Sequence, residues 1–122
     1  MEITGIKVKY LSEKKNEYGK NHMFELLDAK PLNELIEMNE KDKGIKIPIW
    51  KYNDKCYLKI NDKKVDEYSI NKYNQKQTND IELFVFKTDI PYIMDLTFKE
   101  YNFTKNSETI KGYTISEINK IY

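Results

Sequence analysis

Apolar and polar residues alternate one by one along much of this chain, and this constrains the fold more than any other feature of the sequence. A period of two residues is typical of β-strands that bury one face. In the first such segment Ile6, Val8 and Tyr10 would point one way, and Lys7 and Lys9 the other. Similar alternation recurs over residues 45–60, 95–103 and 110–118. The pattern predicts a mainly β domain, and a small barrel is favoured over a sandwich because closure removes exposed sheet edges.

The stretches between these strands predict one short helix and several connections. Pro31 suits the first position of a helix that would extend to about Met38, because apolar residues follow it at helical spacing. The other assignments are a loop over 12–21, a strand over 22–27, tight turns at 53–54 and 61–64, a central strand over 81–87 and a polar turn at 105–108. Residues 66–80 are left unassigned. The chain, residues 1–122, is predicted to form a single domain because its length supports one modest core.

Charge and residue usage narrow the functional classes. The 21 basic residues against 20 acidic ones give a formal net charge of +1, so a polyanion would have to meet a local cluster of charge. Every basic residue is lysine, and without arginine the chain lacks the bidentate fork that reads guanine edges. The single cysteine, Cys56, excludes an internal disulfide, and no apolar run approaches the ~20 residues that span a bilayer. These features predict a cytoplasmic protein that contacts no membrane.

One predicted hairpin, within residues 45–60, presents lysines among aromatic rings on its outward face. Flat rings stack on any base while lysines follow the phosphates, so this mixture is typical of proteins that bind single strands without sequence preference. The candidate DNA-binding residues are Trp50, Tyr52, Tyr57, Lys46, Lys51 at the turn, Lys55 and Lys59, with Lys7 and Lys9 if the first strand neighbours the hairpin. An ordinary fold is also compatible with the pattern. Trp50 could fill a small core under the helix, the tyrosines could be half-buried sheet residues, and the lysines could form a solvated face.

The sequence offers little for catalysis. His22 is the only histidine, which excludes a site built from two histidines, and we interpret it as a strand-edge residue. Asp95 lies in an apolar stretch, where we expect a hydrogen-bonding role. The four glycines are isolated, so the chain has no glycine loop to bind phosphate. We therefore predict that the protein is not an enzyme and uses neither a metal nor a cofactor.

Short motifs along the whole chain carry a resemblance to a known family. They are Gly5-Ile6-Lys7-Val8-Lys9-Tyr10, Ile47-Pro48-Ile49-Trp50, and Asp95-Leu96-Thr97-Phe98-Lys99-Glu100-Tyr101 with Lys111-Gly112-Tyr113. With these motifs the chain resembles the small single-stranded DNA-binding proteins of phages of low-GC Gram-positive bacteria, the lactococcal siphophage type in particular. The resemblance implies an OB-fold and single-stranded DNA binding in the host cytoplasm during phage replication or recombination. It also implies a homodimer and contacts with phage replication or recombination proteins.

Two functions therefore stand as hypotheses. The first is nonspecific binding and protection of single-stranded DNA by an OB-fold-like barrel. The alternative is a small phage protein-interaction module that inhibits or modulates a host protein, since exposed tryptophan and tyrosine also anchor protein interfaces. Binding to oligo-dT with a strong dependence on salt would favour the first.

Overall fold

The fold is built on one curled β-sheet with two helices packed against it. The computed structural model describes residues 1–17, 19–73 and 84–122, except for the side chains of residues 72 and 73. The elements in chain order are β1 (Glu2–Asn16), β2 (Gly19–Leu26), a 3₁₀ turn (Lys30–Leu32), α1 (Asn33–Lys41), β3 (Ile45–Lys46), β4 (Ile49–Tyr52), β5 (Lys55–Asn61), α2 (Asp62–Tyr73), β6 (Pro91–Lys105) and β7 (Glu108–Ile121). Neither α-helix in this part of the chain combines the length and the apolar character that a membrane span requires.

The order of the strands forces the sheet to curl. The order is β3-β7-β6-β1-β2-β5-β4, with β3 and β7 parallel and the other neighbours antiparallel. Lys46 pairs with Gly112 of β7 at one end of the sheet, whereas the Pro48 carbonyl accepts a hydrogen bond from the Lys59 amide of β5 at the other. Two Cα steps of 3.8 Å separate Lys46 from Pro48, so the two ends of the sheet lie within roughly 8 Å of each other. The result is the small, OB-like β-barrel that the sequence predicts.

The apolar face of each strand lines the inside of the curl. The alternation predicted that Ile6, Val8 and Tyr10 face inward, and all three are buried. The fully enclosed side chains from the other strands are Phe24, Leu58, Ile60, Met94, Leu96 and Phe98. Burying apolar surface contributes about 25 cal/mol per Å², so this shared interior is the main source of stability. Leu32 and Leu35, from the 3₁₀ turn and α1, add to the same core.

Phe86 fills the inside of the curled sheet. Its ring centroid lies 5.2 Å from Tyr10, 5.0 Å from Phe24 and 5.2 Å from Tyr92. The backbone that follows Phe86 is held by the Asp89 amide, which donates to the Tyr10 carbonyl at 2.9 Å. The segment therefore closes the core with side chains and does not extend the sheet.

The second helix covers the same interior. Val65, Tyr68 and Ser69 recur at helical spacing in α2, and all three are buried. The Ser69 hydroxyl donates to the Val65 carbonyl at 2.9 Å and accepts from the Phe84 amide at 2.7 Å. These bonds tie the segment that carries Phe86 to the helix.

Several predictions are confirmed. The helix that begins near Pro31 is present, as are the Asn53–Asp54 turn and the long hairpin formed by β6 and β7. Asn53 and Asp54 both have positive φ, the conformation of a type I′ turn between two strands. Asp95 has the expected hydrogen-bonding role, since its carboxylate accepts from the Gly5 amide and from the Tyr122 hydroxyl, each at 2.9 Å.

Other predictions are wrong. Residues 12–21 do not form a loop, because β1 and β2 pair as far as Asn16 and Gly19. A turn was expected at 61–64, but α2 begins at Asp62, so the described residues form two α-helices where one was predicted. A strand was predicted over 81–87, but the described part of this run, residues 84–87, does not form one. The Phe86 side chain packs in the core instead. Residues 81–83 lie outside the described part of the chain.

Gly112 permits the contact that joins the sheet ends, so Gly112→Ala should destabilise the fold. A Cβ at this position would overlap the Lys46 carbonyl oxygen and come within 3.0 Å of the Lys46 Cα, and both are backbone atoms. We expect a loss of about 2 kcal/mol or more in the free energy of unfolding, measured by urea denaturation. Gly44→Ala is the matched control, because its nearest neighbour is a flexible Asp42 side chain. Equal stability of the two variants would contradict this account of the closure.

Candidate nucleic-acid interface

The β4–β5 hairpin brings five of the predicted residues onto one face. Trp50 lies directly opposite Tyr57, and Tyr52 lies opposite Lys55. Lys59 follows Tyr57 two residues later and shares its face, because side chains alternate along a strand. We call this set the hairpin strip: Trp50, Tyr52, Lys55, Tyr57 and Lys59. The strip combines flat rings with ammonium groups on the outward surface of the sheet.

Two rings of the hairpin strip, Trp50 and Tyr52, are exposed, and the third, Tyr57, is half-buried. Trp50 and Tyr57 stack with their centroids 5.6 Å apart and an angle of 21° between their planes. Trp50 is 37% exposed and Tyr52 is 65% exposed, so neither ring belongs to the core. The ordinary alternative is wrong for Trp50, which does not belong to the core, and for the exposed Tyr52, but Tyr57 is the half-buried sheet residue that it describes. The stack holds both rings in fixed orientations, which lowers the entropy cost of placing a base against them.

The lysines of the strip differ in their partners. Lys55 Nζ lies 3.4 Å from Glu25 Oε1, and Glu25 lies opposite Tyr57 on the neighbouring strand β2. Lys59 has no carboxylate within ion-pair distance among the described residues. A phosphate would therefore compete with Glu25 for Lys55 but not for Lys59.

A groove runs along the seam where the two ends of the sheet meet. We call it the seam groove, and its volume of about 450 Å³ is in the range of ligand-binding clefts. It is lined by Lys46, Ile47, Pro48, Lys59, Tyr101, Phe103, Tyr113 and Thr114. The two lysines supply positive charge and the lining includes no carboxylate, so the groove favours an anion. Lys59 belongs to both the groove and the hairpin strip.

The fold separates the remaining predicted residues from the strip. Lys46 is not on the same strand as Trp50, because the chain crosses the seam between them, but it lies in the seam groove. Lys51 pairs with Cys56 on the opposite face of the hairpin and borders a pocket beside α1. Lys7 and Lys9 were included on the condition that β1 neighbours the hairpin, but β2 lies between β1 and β5.

Lys7 and Lys9 have different surroundings in the structure. Lys9 shares the outward face with Tyr57, but Glu25 lies between them in the sheet. Lys7 borders an apolar hollow with Leu27, Ile93 and Tyr122. Neither lysine therefore extends the positive charge that Lys59 and Lys46 give to the seam groove.

Sequence reasoning assigned no role to the aromatic residues that β6 contributes to the groove. Tyr101 and Phe103 stack on each other with centroids 6.1 Å apart and an angle of 17° between their planes. The alternation that identified Tyr57 and Lys59 also places Tyr101 and Phe103 on one face of their strand. The signal was present in the sequence, but their position next to Lys59 depends on how the sheet closes.

A buried polar chain crosses the interior beneath the sheet. The Tyr10 hydroxyl lies 2.9 Å from His22 Nδ1, and His22 Nε2 lies 2.7 Å from Asp62 Oδ1 at the start of α2. His22 was interpreted as a strand-edge residue, which is wrong: it pairs with neighbours on both sides and is 5% exposed. Burial, followed by the negative charges of Glu13 and Asp62, raises the pKa of Tyr10 to about 12. The phenol is therefore protonated at neutral pH, and the chain serves to join α2 to the sheet.

Among the described residues, no group of three or more His, Cys, Asp or Glu side chains is placed to hold a metal ion. Comparison with protein-family models, curated proteins and solved structures finds no match for the chain. The site must therefore be interpreted from its own chemistry. Stacked rings with one exposed member beside a cationic groove can bind an extended ligand that carries both flat bases and phosphates.

The raised pKa of Tyr10 predicts a specific loss of stability in alkali. The phenol binds its proton more tightly in the folded state than in the unfolded state, where its pKa is 10.0. Its contribution is therefore complete below pH 10 and is lost as the pH rises through about 12. Tyr10→Phe should be less stable than the parent at pH 8, because His22 loses a buried hydrogen bond worth about 1 kcal/mol.

Between pH 10 and 12 the stability of Tyr10→Phe should fall less steeply, by up to about 1.4 kcal/mol per pH unit. Urea unfolding at a series of pH values measures both effects. Tyr52→Phe is the control, because it makes the same substitution at an exposed ring outside the core. Parallel curves for Tyr10→Phe and the parent would contradict the assignment.

Proposed function

We propose that this protein binds single-stranded DNA without sequence preference and that binding, not catalysis, is its function. The observation that carries the proposal is the Trp50–Tyr57 stack, in which Trp50 is exposed and Tyr57 is half-buried, and which shares one face with Lys59. Stacking on aromatic rings contributes about 1–3 kcal/mol per base whatever the base is. The resemblance to phage single-stranded DNA-binding proteins points in the same direction.

The residue types predict which nucleic acids the protein would prefer. Lysine offers a point charge to phosphates, whereas reading guanine depends mainly on the planar fork of arginine, which the chain lacks. A double helix hides the faces of its bases, so stacking on the hairpin strip requires an unpaired strand. We therefore expect preference for single strands over duplex and little preference among base sequences. A role in phage replication or recombination, and a homodimeric state, are further parts of the proposal.

A second candidate function is a protein-interaction module. It is favoured by an apolar patch on the outward surface, where Leu27, Ile93 and Tyr122 are 48%, 38% and 60% exposed. Exposed apolar groups in contact with one another are typical of protein interfaces. A protein with this function would retain one partner polypeptide during purification and would ignore oligo-dT. The two candidates thus make opposite predictions for the same titration.

Trp50 is the only tryptophan, so its fluorescence reports directly on the proposed site. Titration with oligo-dT should quench the emission, because a base would stack on the indole. Trp50→Ala should weaken binding of a labelled oligonucleotide by about 5- to 150-fold, the equivalent of one lost stack, and equally for different base sequences. Trp50→Phe keeps a ring and should lose much less. Unchanged emission together with unchanged affinity of Trp50→Ala would refute the proposal.

The salt dependence of affinity tests the role of Lys59. Each phosphate contact with a single strand contributes about 0.7 to the slope of log affinity against log salt concentration. Lys59→Gln should lower that slope by about this amount. Lys7→Gln is the matched control, since Lys7 lies in the apolar patch away from the seam groove. If the two variants change the slope equally, Lys59 does not make the proposed phosphate contact.

A further inference from the structure

The hairpin formed by β6 and β7 carries a second set of rings and lysines with the same spacing as the first. Lys99, Tyr101, Phe103 and Lys105 are two residues apart and therefore share one face of β6. We call this set the arm strip. It resembles β5, where Lys55 and Lys59 flank one ring, Tyr57, on the same face, but here the two lysines flank two rings.

Packing does not account for the rings of the arm strip. Phe103 is 49% exposed and has Ile110 opposite it on β7. Tyr101 lies opposite Gly112, which has no side chain that could cover it. Burying a phenylalanine fully would contribute about 1.5–3 kcal/mol, and here half of the ring surface is left in water. The two rings stack on each other at 6.1 Å, and it is the exposed Phe103 ring, beside the half-buried Tyr101, that another flat group could contact.

The seam groove joins the two strips. Tyr101 and Phe103 line the groove from the side of β6, Lys59 lines it from the side of the hairpin strip, and Lys46 lies in the backbone crossing between them. Neither Lys46 nor Lys99 has an ion-pair partner among the residues that the structure describes. The acidic residue on the face of the arm strip is Glu108, opposite Lys105 at the tip. The centre of the path between the two pairs of rings is therefore cationic.

We infer that the arm strip is a second stacking platform for the same single strand, which crosses the seam groove from the Trp50–Tyr57 stack to the Tyr101–Phe103 stack. The inference rests on the proposed function and extends it to the path of the strand and the size of the site. The phosphates between the two stacks would lie along Lys59 and Lys46. A short oligonucleotide would occupy the hairpin strip alone, whereas a longer one would reach both platforms.

Oligonucleotides of two lengths separate this inference from the proposed function. Site sizes of one OB fold extend from about 4 to about 16 nucleotides, so dT of these two lengths brackets the expected site. Phe103→Ala should weaken binding of the longer oligonucleotide by about 5-fold or more and leave the shorter one within about 2-fold, with Trp50 quenching as the readout for both. Thr104→Ala is the matched control, because Thr104 is exposed on the opposite face of the arm.

A direct readout is obtained by moving the only tryptophan. In the double variant W50F/F103W the single indole lies in the arm strip, and the longer oligonucleotide should quench it. Absence of that quenching, or equal weakening of both lengths by Phe103→Ala, would overturn the second platform while the binding function stood. If Phe103→Ala changes the sedimentation of the protein but leaves its DNA affinity unchanged, the arm is a contact between copies of the chain. That result would also overturn the second platform. If neither length quenches Trp50 in the parent protein, it is the proposed function itself that fails.

Discussion

The close approach of the Lys46 backbone to Gly112 is the contact on which both the barrel and its groove depend. It attaches β3 to β7 at one end of the sheet, and only Ile47 and Pro48 separate β3 from β4 at the other end. Because this connection is so short, β3 and β4 must lie close together, and the sheet between them must curl. Proline suits this crossing because it lacks an amide hydrogen that would need a partner, while its carbonyl accepts from Lys59. The same crossing brings Lys46 and Lys59 into one groove, although β3 is the last strand at one end of the sheet and β5 is the second strand from the other end.

The alternation of apolar and polar residues predicted which side of each strand is buried. It did not predict which strands, helices and connecting segments contact one another. Alternation was sufficient for Ile6, Val8 and Tyr10 because burial of one face determines the period of a half-buried strand. It was insufficient for Phe86, since a short apolar run fits a buried strand and a core-filling segment equally well. The second helix has a spacing signal in Val65, Tyr68 and Ser69, but its charged surroundings hid that signal.

The same distinction applies to the candidate site. The face shared by Trp50, Tyr57 and Lys59 follows from a two-residue period and a two-residue turn, both of which are local. The roles considered for Lys7 and Lys9 depended on which strand neighbours the hairpin, and that order is set by long-range pairing. Tyr101 and Phe103 reach the groove through the same long-range pairing. A candidate surface assembled across a seam is thus visible in the sequence only as separate fragments.

A nearly neutral molecule can still offer a polyanion a favourable path, because electrostatic effects of surface charges are local. Charges separated by more than the Debye length, about 8 Å at physiological ionic strength, largely cease to influence each other. The net charge of +1 therefore says little about a groove whose lining contains Lys46 and Lys59 but no carboxylate. Glu25 illustrates the opposite arrangement, since its contact with Lys55 reduces the positive charge at the other end of the hairpin strip. With little net field to steer a distant strand, such a protein would depend on ring stacking for affinity and on the groove lysines to orient the phosphates once contact is made.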